Sequence, residues 1–420
     1  MPANNTLGEL LTTIFDRRPF SRKVEDPRPL VSLCWALLAE KAEVSGLQLA
    51  TAILDRYKEL DRDQKISFFT FLNDELDLDT TKLADLTAAY SSAPSPENFA
   101  ALSKSAESGR RGLLRRLNQA PGATAELVRM RKDLLSLLKT APELARTDLD
   151  FVHLLRSWFN RGFLVLRQIT WDSPAAILEK IIAYEAVHEI HTWADLRRRL
   201  HPIDRRCFAF FHPAMPHEPL IFVEVALTKG VPNSIQKVLS DDREELGKTE
   251  IDSAVFYSIS NCQDGLGGIS FGNSLIKQVA RDLSHEFSGL KTYVTLSPIP
   301  GFMKWVADQE MEQSELPRDN LEKLAAYFLL SGKTQSGKPL DPVARFHLGN
   351  GAQIHEVHGA ADVSEKGMAQ SGGVMVNYLY DLSKISKNLQ LFASKNEIAA
   401  SSSVKSKARQ AVLNVGKSKA

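Results

Sequence analysis

Cysteine is scarce in this chain. Its 420 residues include three, Cys34, Cys207 and Cys262, odd in number and unclustered. That excludes a disulfide framework and a cysteine-rich zinc site. Buried thiols in a reducing, cytoplasmic compartment are expected, with Cys262 the accessible one. No apolar run reaches the roughly 20 residues of a membrane-crossing helix. Charge of one sign is also lacking: 52 Lys and Arg stand against 51 Asp and Glu, a net of +1. Nothing global therefore draws nucleic acid or an anionic membrane to it. The first residues carry Glu9 and lack a signal-peptide pattern, and the last three, Ser418-Lys419-Ala420, are not Ser-Lys-Leu. No targeting segment is expected.

What is present is an ordinary globular composition, long enough for one to three domains. The first 160 residues read as helices. Apolar stripes at helical spacing run over Thr6 to Arg17, Leu30 to Glu43, Gly46 to Leu60 and Gln64 to Glu75. Asp79-Thr80-Thr81 caps Leu83 to Tyr90, and Asn98 to Ala106, Gly109 to Leu117, Ala123 to Thr140 and Thr147 to Trp158 follow. Consecutive amphipathic helices with short connections predict an antiparallel bundle. Arg110, Arg111, Arg115 and Arg116 surround Leu113, Leu114 and Leu117; the pattern predicts a solvated helix face, with a phosphate-binding patch as the sharper alternative.

Strand signals start at Phe163. Cys207 to Phe211 and Leu220 to Leu227 read as a hairpin across a proline-rich turn. Phe256 to Ser260 is a short aromatic and β-branched run. Gln263-Asp264-Gly265-Leu266-Gly267-Gly268 is a glycine-rich turn, Ile269 to Phe287 an apolar-periodic helix, and Thr292 to Leu296 a second strand. Ser297-Pro298-Ile299-Pro300-Gly301-Phe302 then forms a proline-stiffened turn. Further on, Gln353 to Val357 and Val374 to Tyr378 are β-like. After Asn388 the chain becomes rich in Ser, Lys and Ala. The expected fold is α+β: an all-α bundle over 1–160, a mixed α/β domain over 161–390, and over 391–420 a mobile tail, with a loosely held helix from Ala399 as the alternative.

Three stretches carry candidate chemistry. A glycine turn between a strand and a helix offers main-chain N–H groups and the positive end of a helix dipole to a phosphate. Ser297 follows a strand and is locked by Pro298 and Pro300, which fix φ and so hold a hydroxyl in one direction. His347 ends the run Asp341-Pro342-Val343-Ala344-Arg345-Phe346. Gly268-Ile269-Ser270-Phe271-Gly272 matches the hydrolase elbow Gly-x-Ser-x-Gly and raises a rival reading with Ser270 as nucleophile. That motif, however, needs its serine at the strand-to-helix turn itself. His188-Glu189-Ile190-His191 has its histidines three apart and no evident third ligand, which predicts a surface helix and no metal site. Ser331-Gly332-Lys333-Thr334 is not a P-loop, since Tyr327 stands where its first glycine is required.

Gly265 and Gly267 resemble the pyrophosphate loop of the acetyl-CoA-dependent N-acetyltransferase (GNAT) superfamily, with Cys262 where that pattern has Gln or Arg. The segment Trp158 to Tyr380 resembles the malonyl-CoA decarboxylase family more closely. The likeness lies in Glu218 to Leu227, Phe256 to Ser260, Ser297 to Phe302, and Pro342-Val343-Ala344-Arg345-Phe346-His347-Leu348. The resemblance implies a GNAT-like catalytic domain and conversion of malonyl-CoA to acetyl-CoA and CO2 through a thioester enolate. It needs no cofactor, metal, nucleic acid or membrane. It makes Ser297 and His347 a catalytic pair. Gln263, Gly265, Gly267 and Gly268 bind substrate, and Ser258, Asn377 and Tyr380 line or support the pocket. It also implies a homo-oligomer, a tetramer. Some members carry Glu where this chain has Ser270, so a carboxylate orienting His347 would have to come from elsewhere. A GNAT-type acyltransferase, a serine hydrolase and a non-catalytic CoA-binding protein are the alternatives.

Overall fold

In the computed structural model, the described residues are 26–243, 246–269, 272–309 and 318–418. The helix expected at Thr6 to Arg17 lies outside them. The chain divides into two compact units, one of 1–165 with 211–219 and 263–271, the other holding the remainder.

The first unit has eight α-helices among its described residues: α1 (Leu30–Ala39), α2 (Glu43–Lys58), α3 (Arg62–Asp74), α4 (Thr80–Ser92), α5 (Pro96–Ser105), α6 (Gly109–Leu117), α7 (Ala123–Leu137) and α8 (Ala145–Trp158). Local chemistry starts several of them. The Asp61 carboxylate accepts from the Gln64 amide while the Gln64 side chain accepts from Asp61 N–H, closing a capping box ahead of α3. Asp79, Ser95 and Ser108 cap α4, α5 and α6. Leu33, Phe69, Leu72, Leu113, Leu117, Leu134 and Phe151 are buried between the helices. On the basic helix α6, Arg115 is exposed as a solvated face requires, but Arg110 and Arg116 are engaged inside. Arg110 is buried and pairs with Asp150, and its Nη1 donates to the Asn73 carbonyl at 3.2 Å. Arg116 donates to the carbonyls of Leu37 and Glu40. These guanidinium groups satisfy helix ends and a buried carboxylate, so the packing consumes them.

Two loops that separate strands of the mixed α/β part fold with this helical unit. In 211–219, Nε2 of His212 lies 3.2 Å from the Trp158 carbonyl, and its ring sits 4.8 Å from that of Phe159. In 263–271, the Gln263 amide group donates to the Pro219 carbonyl at 3.0 Å. Gly265 lies so close to α7 that a Cβ there would stand 1.9 Å from the carbonyl oxygen of Val128.

The second unit is built on a sheet of eight strands: β1 (Val165–Ile169), β2 (Arg205–Phe211), β3 (Ile221–Thr228), β4 (Ser253–Asn261), β5 (Thr292–Thr295), β6 (Ser297–Pro298), β7 (Gln353–His358) and β8 (Met375–Leu379). Their order is β1-β2-β3-β4-β5-β8-β6, with β7 on β8. The expected hairpin is β2–β3, antiparallel. β4 and β5 are parallel, joined through the glycine loop and a helix that spans Gly272–Glu286. The strand, glycine loop, helix, strand order is thus as expected. The β4–β5 pairing runs from Ser253↔Thr292 to Phe256↔Thr295 and stops. Beyond it β4 continues to Asn261, while Ser297 and Pro298 pair with Val376 and Met375 of β8. The two parallel strands therefore part company just before Ser297. At the same level the β3–β4 register skips Tyr257, which marks a bulge.

The C-terminal stretch takes the helical alternative and not the mobile tail. Ile385–Lys395 and Ser402–Ser418 are helices, and Val404, Ala408 and Ala411 are buried. Lys407 pairs with Glu322 and Glu356 and donates to the Val357 carbonyl at 2.7 Å. Small residues at Ala408 and Ala411 let this helix lie close to the helix Arg318–Ser331, so a low apolar content is enough to hold it. The stretch 185–191 is irregular, where a surface helix was expected, and His188 is half-buried. Cys262 is buried as well, and so are Cys34 and Cys207. No helix among the described residues is long and apolar enough to cross a membrane, and none of their side-chain clusters suits a metal ion.

Candidate active site

Ser297 is placed by the break between β5 and β6. Thr295 and Ser297, two residues apart on an extended chain, point to the same side. The Ser297 hydroxyl donates to Oγ1 of Thr295 at 2.9 Å. Thr295 is itself fixed, because its Oγ1 accepts from the Tyr378 amide at 3.1 Å and its carbonyl accepts from Nδ2 of Asn377 at 2.8 Å.

His347 comes from the helix Pro342–Gly349. Asp341 caps it through the Ala344 amide at 2.8 Å, with Pro342 in the first turn where its missing N–H costs nothing. The Asp341 carboxylate also accepts from the Gly301 amide at 3.4 Å. One buried carboxylate thus ties the start of the histidine helix to the end of the Ser297–Gly301 turn. Burial raises its pKa above the ordinary carboxylate range.

The two side chains meet. Nε2 of His347 lies 3.4 Å from the Ser297 hydroxyl, and Nδ1 lies 2.8 Å from the Tyr380 phenol. The Tyr378 ring stacks on the imidazole at 4.5 Å between centroids. His347 is buried, and desolvation lowers its pKa to about 3. The imidazole is therefore neutral near pH 7, with one nitrogen donating and the other accepting. Because the single Ser297 proton goes to Thr295, Nε2–H donates to the Ser297 oxygen and the Tyr380 phenol donates to Nδ1.

Of the residues singled out from sequence, the structure brings together Ser297, His347 and Tyr380, with Asn377 one step behind through Thr295. Ser258 is held elsewhere. Its hydroxyl donates to Glu185, with oxygens at 2.8 and 2.7 Å, and Ser260 donates to the same carboxylate at 3.3 Å. Gln263, Gly265, Gly267 and Gly268 belong to the helical unit. Ser270, the nucleophile of the hydrolase reading, lies outside the described residues. Sequence reasoning passed over Thr295, Tyr378 and Glu185. Strand alternation two residues before Ser297 was the available signal for Thr295.

Within the glycine loop, the amides of Leu266, Gly267 and Ile269 are spent on closing the turn. Gly268 sits at φ +76° with open space around it, and its amide has no acceptor among the described residues.

Comparison with known proteins agrees with this architecture. A family model for the malonyl-CoA decarboxylase C-terminal domain matches residues 162–320 and 308–418, and one for the N-terminal domain of the same family matches 77–159. The mitochondrial malonyl-CoA decarboxylase of Anser anser anser is 34% identical over 345 residues, 70% of this chain and 68% of the relative. That of Rattus norvegicus is 35% identical over 345 residues, covering 70% of each. Among solved structures, malonyl-CoA decarboxylase from Rhodopseudomonas palustris matches with a TM-score of 0.84 at 45% identity, over 90% of this chain and 98% of that one. The enzyme from Agrobacterium vitis matches at 0.85 and 46% identity, over 90% and 99%. The chain is thus an enzyme of the carboxy-lyase class. It belongs to the malonyl-CoA decarboxylase family.

Proposed function

We propose that this chain converts malonyl-CoA to acetyl-CoA and CO2, with Ser297 and His347 acting on the acyl group. The observation that carries the reading is the buried chain Tyr380–His347–Ser297, supported by membership of the family. The bond between C2 and the carboxylate carbon breaks, CO2 leaves, and the electron pair spreads onto the thioester oxygen as an enolate. A dry site favours that step, because the compact carboxylate loses more by desolvation than the spread enolate does. The Ser297 hydroxyl hydrogen-bonds the substrate's carboxylate or thioester oxygen. His347 delivers a proton to C2, directly or through a water that it holds, and solvent restores it. None of these steps calls for a cofactor.

The glycine loop, with Gly268 N–H outward, supplies a donor for the pyrophosphate. We further infer a homotetramer built by the helical part, and a reducing compartment such as the cytoplasm in keeping with three buried free thiols; size-exclusion chromatography with light scattering tests the first. The activity itself is tested by incubation with malonyl-CoA and no added cofactor, before and after treatment with a chelator. Release of CO2 and acetyl-CoA at equal rates in both is expected. Acyl transfer to an amine, or hydrolysis to malonate, would overturn it.

A further inference from the structure

The helical part has no chemistry of its own in the reading above, yet one of its side chains reaches the glycine loop. Arg131 of α7 is 2% exposed. Its Nη1 donates to the carbonyl of Gly265 at 2.7 Å and to that of Gly267 at 2.9 Å. Its Nε and Nη2 are held by the Asp148 carboxylate of α8 at 2.7 and 3.4 Å. A guanidinium is always charged and has a fixed fork of donors, so its orientation is set once Asp148 is engaged. The loop can lie against α7 only because residue 265 has no side chain, as the contact with Val128 shows.

This has a geometric consequence. No peptide bond among the described residues is cis, and in a planar trans peptide the C=O and the following N–H point in opposite directions. With the Gly267 carbonyl turned onto Arg131, the Gly268 N–H points away from the helices. Gly268 is exposed, and its amide is one that closing the turn leaves without an acceptor among the described residues.

We propose that Arg131 is a positioning residue for the CoA end of the substrate. It holds two loop carbonyls inward so that the Gly268 N–H stands outward, ready to donate to a pyrophosphate oxygen. The proposal rests on the reading of the glycine loop as the phosphate site. It gives the N-terminal helices a part in substrate binding, which Asp148 shares by fixing Arg131. Without the guanidinium, the Gly267 carbonyl loses the donor that turns it inward, and a rotated 267–268 peptide would meet the phosphate with the wrong sign of dipole.

The test compares two substrates, malonyl-CoA and malonyl-pantetheine, which has the same acyl thioester but no pyrophosphate. For the wild-type chain, a KM at least tenfold lower for malonyl-CoA is expected. Arg131→Gln should raise the KM for malonyl-CoA by roughly tenfold, the loss of one charge-oriented contact. It should leave kcat, and the KM for malonyl-pantetheine, within about twofold. Arg131→Lys, with a single point of donation, should fall between. Asp148→Asn keeps an acceptor and a fold-compatible shape, and should show the same substrate-selective rise in smaller degree. It serves as the second variant if Arg131→Gln does not fold. Equal losses on both substrates, or a fall in kcat alone, would make Arg131 a packing residue and overturn the proposal. Equal KM values in the wild type would instead remove the phosphate reading of the loop.

Discussion

The Tyr380 phenol lies 2.8 Å from Nδ1 of His347, at the position where a serine–histidine pair in a hydrolase has a carboxylate. A carboxylate there would stabilise an imidazolium and so turn the serine into a nucleophile. A phenol does neither. It fixes the ring and leaves it neutral, which suits a hydroxyl that donates hydrogen bonds and does not attack. Tyr380→Phe should keep the fold and lower kcat by about tenfold, the scale of one buried hydrogen bond. Steady-state kinetics with circular dichroism checks this; an unchanged kcat would remove Tyr380 from the chain.

Ser297→Ala and His347→Gln should each lower kcat for malonyl-CoA by roughly 10²–10³ while KM moves less than about threefold. The measurement is CO2 release at saturating substrate. Turnover near wild type in either folded variant would dissolve the proposed pair.

His347 should resist protonation. Burial holds its pKa at about 3, below the ordinary 6.5 of an unfolded chain. The folded state therefore binds fewer protons than the unfolded state between those values. Stability from this group is complete above pH 6.5 and is lost as pH falls toward 3. The imidazole signal that vanishes in His347→Gln should keep its neutral shift from pH 8 to 5 in nuclear magnetic resonance. A midpoint near 6.5 would contradict the dry site.

Glu224 titrates the other way. It is fully buried on β3, beside Arg199 at 3.0 Å, and desolvation raises its pKa to about 7. The folded state then binds more protons than the unfolded between about 4.5 and 7. Stability from this group is complete below 4.5 and lost as pH rises through 7. Glu224→Gln should remove that decline. The gap in denaturation midpoint between wild type and variant should be smaller at pH 8.5 than at pH 6, or change sign.

Removing residues 402–420 should lower the thermal midpoint by several degrees, because Val404, Ala408 and Ala411 are buried and Lys407 bridges Glu322, Glu356 and the Val357 carbonyl. Differential scanning calorimetry reads it; a truncated chain as stable as the whole would restore the idea of a loose tail.

Much of this was legible beforehand, for identifiable reasons. Helical stripes and side-chain caps are local, so the helices from Leu30 to Trp158 could be placed from spacing and from Asp79. The stiff turn at Ser297-Pro298-Ile299-Pro300 and the cap at Asp341-Pro342 are local too, and they aim the two side chains that meet. Partners distant in sequence were not legible. Nothing near Ser258 announces Glu185, 73 residues earlier, and nothing in Gly109 to Leu117 shows that the guanidinium groups of Arg110 and Arg116 are used inside the bundle. A mobile tail and a final helix could not be told apart in the sequence, because Ala and Ser in a close-packed interface look the same as in a disordered segment.

Loops 211–219 and 263–271 fold with the N-terminal helices, so position 160 is no place to cut. A gene fragment starting there would lose the wall against which Gly265 is pressed and the cation that its carbonyls answer. The helices are accordingly not a detachable cassette: grafting a different bundle onto this sheet would have to recreate Val128, Arg131 and Asp148 along with the shape of the helix that carries them.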